Sequence, residues 1–201
     1  MIVDDHPAFR KGLAALIESE EGMIVVAQTG DGRESVELYR TVKPDVVLMD
    51  LRLPGFSGVE AIMEIRKEFP EGRFIVITTY DTDEDIYRAM ESGALSYLLK
   101  DTDDEDILQT IRAVHAGERP LPKNVEHQLQ ERMRREELSM LEMQVLELLV
   151  KGFSNKEIAT VLSITEAGVK FRLKGLFLKL GVQDRTAAVV SALRHGIVHL
   201  E

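Results

Sequence analysis

The chain has 201 residues, 44% of them hydrophobic, which is enough for two packed domains and too much for one small one. It has no cysteine, so disulfides and thiolate metal sites are excluded and a cytoplasmic protein is expected. The net charge of −10 is unevenly placed: residues 1–117 carry 24 acidic and 12 basic groups, residues 118–137 carry 5 and 5, and residues 138–201 carry 6 and 8, so only the last part is a candidate for nucleic acid.

No apolar run approaches the roughly 18 residues that span a bilayer, and no basic stretch precedes an apolar one near Met1. Neither a membrane span nor a signal peptide is expected. Five apolar runs occupy residues 2–3, 23–27, 46–49, 74–78 and 96–99. They are nearly continuous in Val, Ile and Leu, as strands buried on both faces are. Helical patterns separate them. Ile107, Leu108, Ile111 and Val114 mark one face of such a helix, and Thr102 with Glu105 has capping-box spacing at its start. Gly93 and Gly117 stand where helices should end. Strands alternating with helices predict an α/β fold with a parallel sheet covered on both sides.

Open parallel sheets bind ligands beyond the carboxyl ends of their strands. The first run ends in Asp4-Asp5, the third in Asp50, the fourth in Thr78-Thr79 and the fifth in Lys100. Three carboxylates, a hydroxyl and an ammonium therefore converge on one rim. Carboxylates held together repel unless neutralised, and Mg²⁺ takes oxygen ligands while leaving room for water and phosphate. A carboxylate can also attack a phosphoryl group and hold it as an acyl phosphate. Taken singly, each residue has an ordinary reading as a cap, a surface lysine or a β-former.

Asp4-Asp5-His6-Pro7, Leu48-Met49-Asp50-Leu51, Pro54-Gly55 with Gly58, Ile77-Thr78, and residues 93–101 resemble response-regulator receiver domains in five blocks in the same order. The resemblance covers residues 1–117 and implies a flavodoxin-like sheet of strand order 2-1-3-4-5. It implies Asp50 as phosphoacceptor. Mg²⁺ would be bound by Asp4, Asp5, Asp50 and the backbone carbonyl of Arg52. Lys100 would pair with the phosphoryl group, Thr78 would hydrogen-bond it, and Tyr97 matches the switch aromatic. His6 is expected to do no more than bond locally. Only three residues precede the acidic pair, so the first strand should be short and should hold Asp4 and Asp5 loosely.

Pro120 and Pro122 break the preceding helix, and residues 125–137 read as a polar, solvated linker helix within a connector at 118–137. From residue 138 the pattern is all-helical. Leu141, Val145, Leu148 and Leu149 share a face, and capping boxes are spaced at Ser139/Glu142 and Ser154/Glu157. Gly152, Gly181 and Gly196 suit helix ends. A short helix from Ser154 should end near Ser163 and turn through residues 164–166. In the next helix Val169, Leu173, Leu176 and Leu180 face inward, while Lys170 and Lys174 lie on another side beside Phe171 and Arg172. That pair of helices describes a helix-turn-helix.

Leu138-Ser139, Ser154 with Asn155, Lys156 and Glu157, Val169-Lys170, Lys179-Leu180-Gly181-Val182 and Asp184-Arg185-Thr186 resemble the LuxR-type DNA-binding domain over residues 138–198. With the receiver in front, the chain is similar to two-component response regulators of the NarL/FixJ type. This implies DNA contact by Lys170, Phe171 and Lys174, with Arg172 and Lys156 as further contacts. It implies a sensor histidine kinase and double-stranded DNA as partners, a homodimer on activation, and no enzyme activity. Two other functions fit the same residues: a DNA-binding regulator independent of phosphorylation, and a metal-dependent phosphatase on the same rim. Arg52, standing where such phosphatases carry a second acid or base, speaks against the phosphatase.

Overall fold

The apolar runs become five parallel strands in a computed structural model that describes residues 1–199. The elements in chain order are β1 (Ile2–Val3), α1 (Pro7–Glu18), β2 (Gln28–Thr29), α2 (Gly32–Val42), β3 (Val47–Met49), α3 (Gly58–Glu68), β4 (Phe74–Thr78), α4 (Asp83–Glu91), β5 (Ser96–Leu99), α5 (Asp104–His115), α6 (Lys123–Met133), α7 (Met140–Val150), α8 (Asn155–Val161), α9 (Glu166–Leu180) and α10 (Arg185–Arg194). They divide into two compact units. One comprises residues 1–81 and 86–126, the other residues 82–85 and everything from His127 onward. The last two residues of the expected 138–201 domain lie outside the described residues. Among the described residues no helix is long and apolar enough to cross a membrane.

In the first unit the strand order is β2-β1-β3-β4-β5, all parallel, as the receiver resemblance implies. Alternate residues of each strand point to opposite faces. Ile2, Leu48, Ile75, Ile77 and Leu98 pack with Leu13, Ala14 and Ile17 of α1 and with Ile107 and Val114 of α5. Phe74 points the other way, and Tyr39 of α2 stacks on it at 5.9 Å between ring centroids.

The second strand corrects the sequence reading. Residues 23–27, the apolar run, form no strand, although the Ala27 carbonyl accepts from the Ile2 amide at 3.0 Å, and β2 falls at Gln28–Thr29 instead. Ile2 and Val3 of β1 pair with Gln28 and Thr29. Ile24 is left 79% exposed. A cavity of about 390 Å³ opens at this lower end of the sheet, lined by Met1, Ile24, Val26, Pro44, Val46 and His115 among others.

The Met1 ammonium donates to the Val46 carbonyl at 2.9 Å at the edge of that cavity. Burial pushes its pKa down from 8.0 to about 6, with Asp45 opposing the shift.

Helix ends show which local signals act. Ser139 and Ser154 form complete capping boxes with Glu142 and Glu157, as their spacing predicts. Thr102 and Glu105 do not. Asp103 is the N-cap of α5 and makes no side-chain cap bond. A third box, Ser57 with Glu60, starts α3 and was not anticipated. The linker helix α6 is also less solvated than its composition suggests. Val125 is 2% exposed and Arg132 is buried, so each end of the helix has an anchor.

The second unit holds a small helical core. Val145, Leu146 and Leu149 of α7, Ile158 of α8, Val169, Leu173 and Leu176 of α9, and Ala188 and Ala192 of α10 are buried together, with Leu180 partly buried against them. Gly175 faces only the Glu142 carboxylate at 3.1 Å from a would-be Cβ. That glycine weakens α9 by about 1 kcal/mol relative to alanine, while leaving room for the Glu142 carboxylate that pairs with Lys179.

Candidate functional site: an acidic rim and a helix-turn-helix

The rim forms because each of its residues continues a ladder. The Asp4 amide donates to the Thr29 carbonyl at 3.0 Å, that of Asp50 to Val3 at 2.8 Å, and that of Lys100 to Thr78 at 2.9 Å. Three side chains just past strand ends are thereby aimed at one point. Asp4 and Thr78 are fully buried and Asp50 is 2% exposed. Gly58 brings α3 against this point. A Cβ there would lie 2.0 Å from the Asp50 carbonyl oxygen. Gly58→Ala must therefore move the Asp50 backbone. It is expected to cost about 1–3 kcal/mol, read as a lower melting temperature.

Lys100 bridges the carboxylates. Its Nζ lies 2.6 Å from Asp50 Oδ2 and 2.7 Å from Asp4 Oδ2, with its side chain 10% exposed. The ring of Phe9 lies beneath the ammonium at 4.9 Å. Burial alone would lower the Lys100 pKa, but the contacts with Asp4 and Asp50 outweigh it and hold it above the ordinary lysine value. Asp5 approaches from the next position, paired with His6 Nδ1 at 2.7 Å. The His6 amide caps Asp4 Oδ1 at 2.8 Å, the local bonding expected of it. Ligand atoms of Asp4, Asp5, His6 and Asp50 all lie within 4.8 Å of one another. Asp4 Oδ2 and Asp5 Oδ1 are buried without a hydrogen bond and have charge contacts alone. Hard oxygen donors with unused lone pairs fit a divalent cation such as Mg²⁺.

Thr78 and Tyr97 sit beside the rim. The Thr78 hydroxyl is 3.5 Å from the Tyr80 amide. Tyr97 is fully buried, and its hydroxyl donates to the Tyr80 carbonyl at 2.7 Å. One residue, Tyr80, thus touches both. Its ring also carries the Arg52 guanidinium at 4.7 Å. The Arg52 amide points back to Asp50 Oδ1 at 3.3 Å. Sequence reasoning missed Phe9 and also Arg10, whose guanidinium bonds the Asp4 carbonyl. Their spacing, one helical turn beyond the acidic pair on α1, was the available signal.

In the second unit α8 and α9 are joined by a tight turn with Ser163 at φ +53°. Thr165 caps α9 by accepting from the Gly168 amide at 3.0 Å. Lys156, Lys170 and Lys174 are exposed, and Phe171 is 76% exposed. Arg172 is only half-exposed and donates to the Gly168 carbonyl at 3.3 Å, so its head is turned back along its own helix.

Comparison with known proteins agrees with both halves. Residues 1–112 match the response regulator receiver domain family, and residues 136–192 match bacterial regulatory proteins of the luxR family. The response regulator protein VraR of Staphylococcus epidermidis is 36% identical over 203 residues, covering 98% of this chain and 97% of VraR. The solved response regulator ChrA of a heme-sensing two-component system is 36% identical, covers 98% of this chain and 97% of its own, and superimposes with a TM-score of 0.58. The response regulator RcsB in complex with DNA is 26% identical over 94% of this chain and 95% of its own, with a TM-score of 0.70. The chain belongs to the two-component response regulators of the NarL/FixJ type, built from a receiver domain and a LuxR-type DNA-binding domain that act in transcription regulation.

Proposed function

We propose that a sensor histidine kinase phosphorylates Asp50 and that this controls dimerisation and DNA binding by the C-terminal helix-turn-helix. The observation that carries the reading is the Lys100 ammonium set 2.6 Å from Asp50 and 2.7 Å from Asp4 on a buried rim. An Asp50 oxygen forms the new P–O bond as the P–N bond of the donor's phosphohistidine breaks and that histidine recovers its proton. Lys100 neutralises the transferred oxygens, and Thr78 donates a hydrogen bond to one of them. Asp4, Asp5, Asp50 and the Arg52 carbonyl would hold Mg²⁺, which would supply positive charge to help neutralise the phosphoryl oxygens. Tyr97 is the switch aromatic: a Thr78 hydroxyl drawn to the phosphoryl group leaves the Tyr80 amide, and Tyr80 also carries the Tyr97 bond.

In this reading residues 1–117 are the receiver, residues 118–137 the linker and residues 138–201 the DNA-binding domain of a cytoplasmic regulator that is not an enzyme. Lys170, Phe171 and Lys174 contact DNA, with Lys156 as a further contact and Arg172 as another once its guanidinium leaves the Gly168 carbonyl. With a formal charge of +2, one such domain binds weakly and with strong salt dependence, so paired half-sites and a dimer supply the affinity. The test is a DNA titration at fixed salt with and without an acyl-phosphate donor and Mg²⁺. Tighter binding and a dimer in the treated sample are expected. Equal binding in both samples would leave a regulator independent of phosphorylation.

A further inference from the structure

The Lys100 ammonium meets two kinds of partner at the rim. Asp50 Oδ2 lies 2.6 Å and Asp4 Oδ2 2.7 Å from its Nζ, and His6 Nδ1 lies at 3.4 Å. The Phe9 ring centroid lies at 4.9 Å. The hold of the first three changes with what else binds. Asp4, His6 and Asp50 belong to the cluster whose ligand atoms lie within 4.8 Å of one another. A divalent cation would take the same carboxylate lone pairs that the ammonium uses. A phosphoryl group on Asp50 would also alter the carboxylate that Lys100 contacts. The Phe9 ring has no charge to lose and no lone pair to give to a metal. It attracts the ammonium through the negative face of its π-system.

The fold sets the ring at the rim. Phe9 lies in the first turn of α1, which starts two residues after Asp5 and contains no acidic residue. An ammonium that approaches this turn therefore meets the ring and no carboxylate. The Lys100 side chain is 10% exposed, so little water competes for its head and a ring contact is at the strong end of its range. A lysine stem is flexible and does not hold its own head in place. We propose that Phe9 is a positioning residue that keeps the Lys100 ammonium over the rim when Asp4 and Asp50 are taken up by other partners, so that it meets the phosphoryl oxygens. This rests on the reading of Asp50 as phosphoacceptor. Core packing gives the ring a competing role, since Phe9 also lies against the cluster that includes Leu13 and Ile17.

The experiment weakens the face of the ring while keeping its shape. Mono-, di- and trifluorophenylalanine are placed at position 9 of the full-length chain, beside Phe9→Leu and Phe9→Tyr. The rate of Asp50 labelling by an acyl-phosphate donor is measured at saturating Mg²⁺. The Lys100 ε-methylene proton signal, which a ring beneath it moves upfield, is recorded with and without Mg²⁺. Labelling should slow with each added fluorine at an unchanged melting temperature. Phe9→Leu should lose about five- to thirtyfold, the size of a desolvated ring–ammonium contact, and Phe9→Tyr should recover most of it. The upfield signal should persist with Mg²⁺ in the parent chain and vanish in Phe9→Leu. Equal labelling along the fluorine series overturns the proposal, and that series decides even where Phe9→Leu fails to fold. A loss in Phe9→Leu that Phe9→Tyr does not recover assigns the ring to packing and overturns it too. So does a Lys100 signal that returns to its ordinary position when Mg²⁺ is added to the parent chain. A parent chain that takes no label at Asp50 counts against the phosphoacceptor reading, a separate result, and the Lys100 signal then still decides whether the ring holds the ammonium.

Discussion

Asp50→Asn should abolish labelling by an acyl-phosphate donor, a fall of at least about 100-fold, because an amide nitrogen or oxygen forms no stable acyl phosphate. The substitution is nearly isosteric at a site 2% exposed, and Lys100 keeps Asp4 as a partner at 2.7 Å, so the fold should survive. Circular dichroism and melting temperature check that. The DNA response separates functions further. The parent chain should bind DNA more tightly after donor and Mg²⁺, and Asp50→Asn should not. Residual labelling of the variant would place the acceptor on another carboxylate of the rim, Asp5 being the one half-exposed to solvent. Normal DNA regulation by the variant would remove phosphorylation from the mechanism while leaving the DNA-binding half intact.

Lys100→Ala should be the most destabilising change at the rim. It leaves Asp4 and Asp50 buried side by side with no ammonium between them. Breaking a buried charge cluster by removing one partner costs about 3–5 kcal/mol. Urea unfolding of the receiver transition measures it. A divalent cation can take over part of the lost neutralisation, so Mg²⁺ should restore more stability to Lys100→Ala than to the parent chain. A loss below about 1 kcal/mol would mean that solvent already screens these carboxylates.

The sequence carried the parts of the structure that are set locally or by strand order. Asp50, Thr78 and Lys100 were legible because each directly follows or ends an apolar run, and a parallel sheet brings such ends together. Ser139/Glu142 and Ser154/Glu157 were legible because a capping box is closed within four residues. Thr102/Glu105 has the same spacing, yet the chain enters α5 one residue later, at Asp103. Spacing alone does not say which of several acidic or hydroxyl residues holds the entry geometry. Residues 23–27 read as a strand by composition, but a strand needs a partner, and pairing is decided by β1, twenty residues away. The Tyr97–Tyr80 bond and the turned-back Arg172 depend on side-chain direction, which apolar periodicity does not encode.

The two-residue β1 has a consequence in the time domain. The strand that leads into Asp4 and Asp5 pairs with its neighbours through two residues alone, Ile2 and Val3. Segments held by few bonds open on their own, without global unfolding. The amides of residues 2–5 should then exchange with solvent deuterium faster than those of the five-residue β4. Whatever occupies the rim must close that opening first, so Mg²⁺ should slow exchange at β1 while leaving β4 unchanged. The lifetime of the acyl phosphate at Asp50 would then be set partly by how often this one strand lets go.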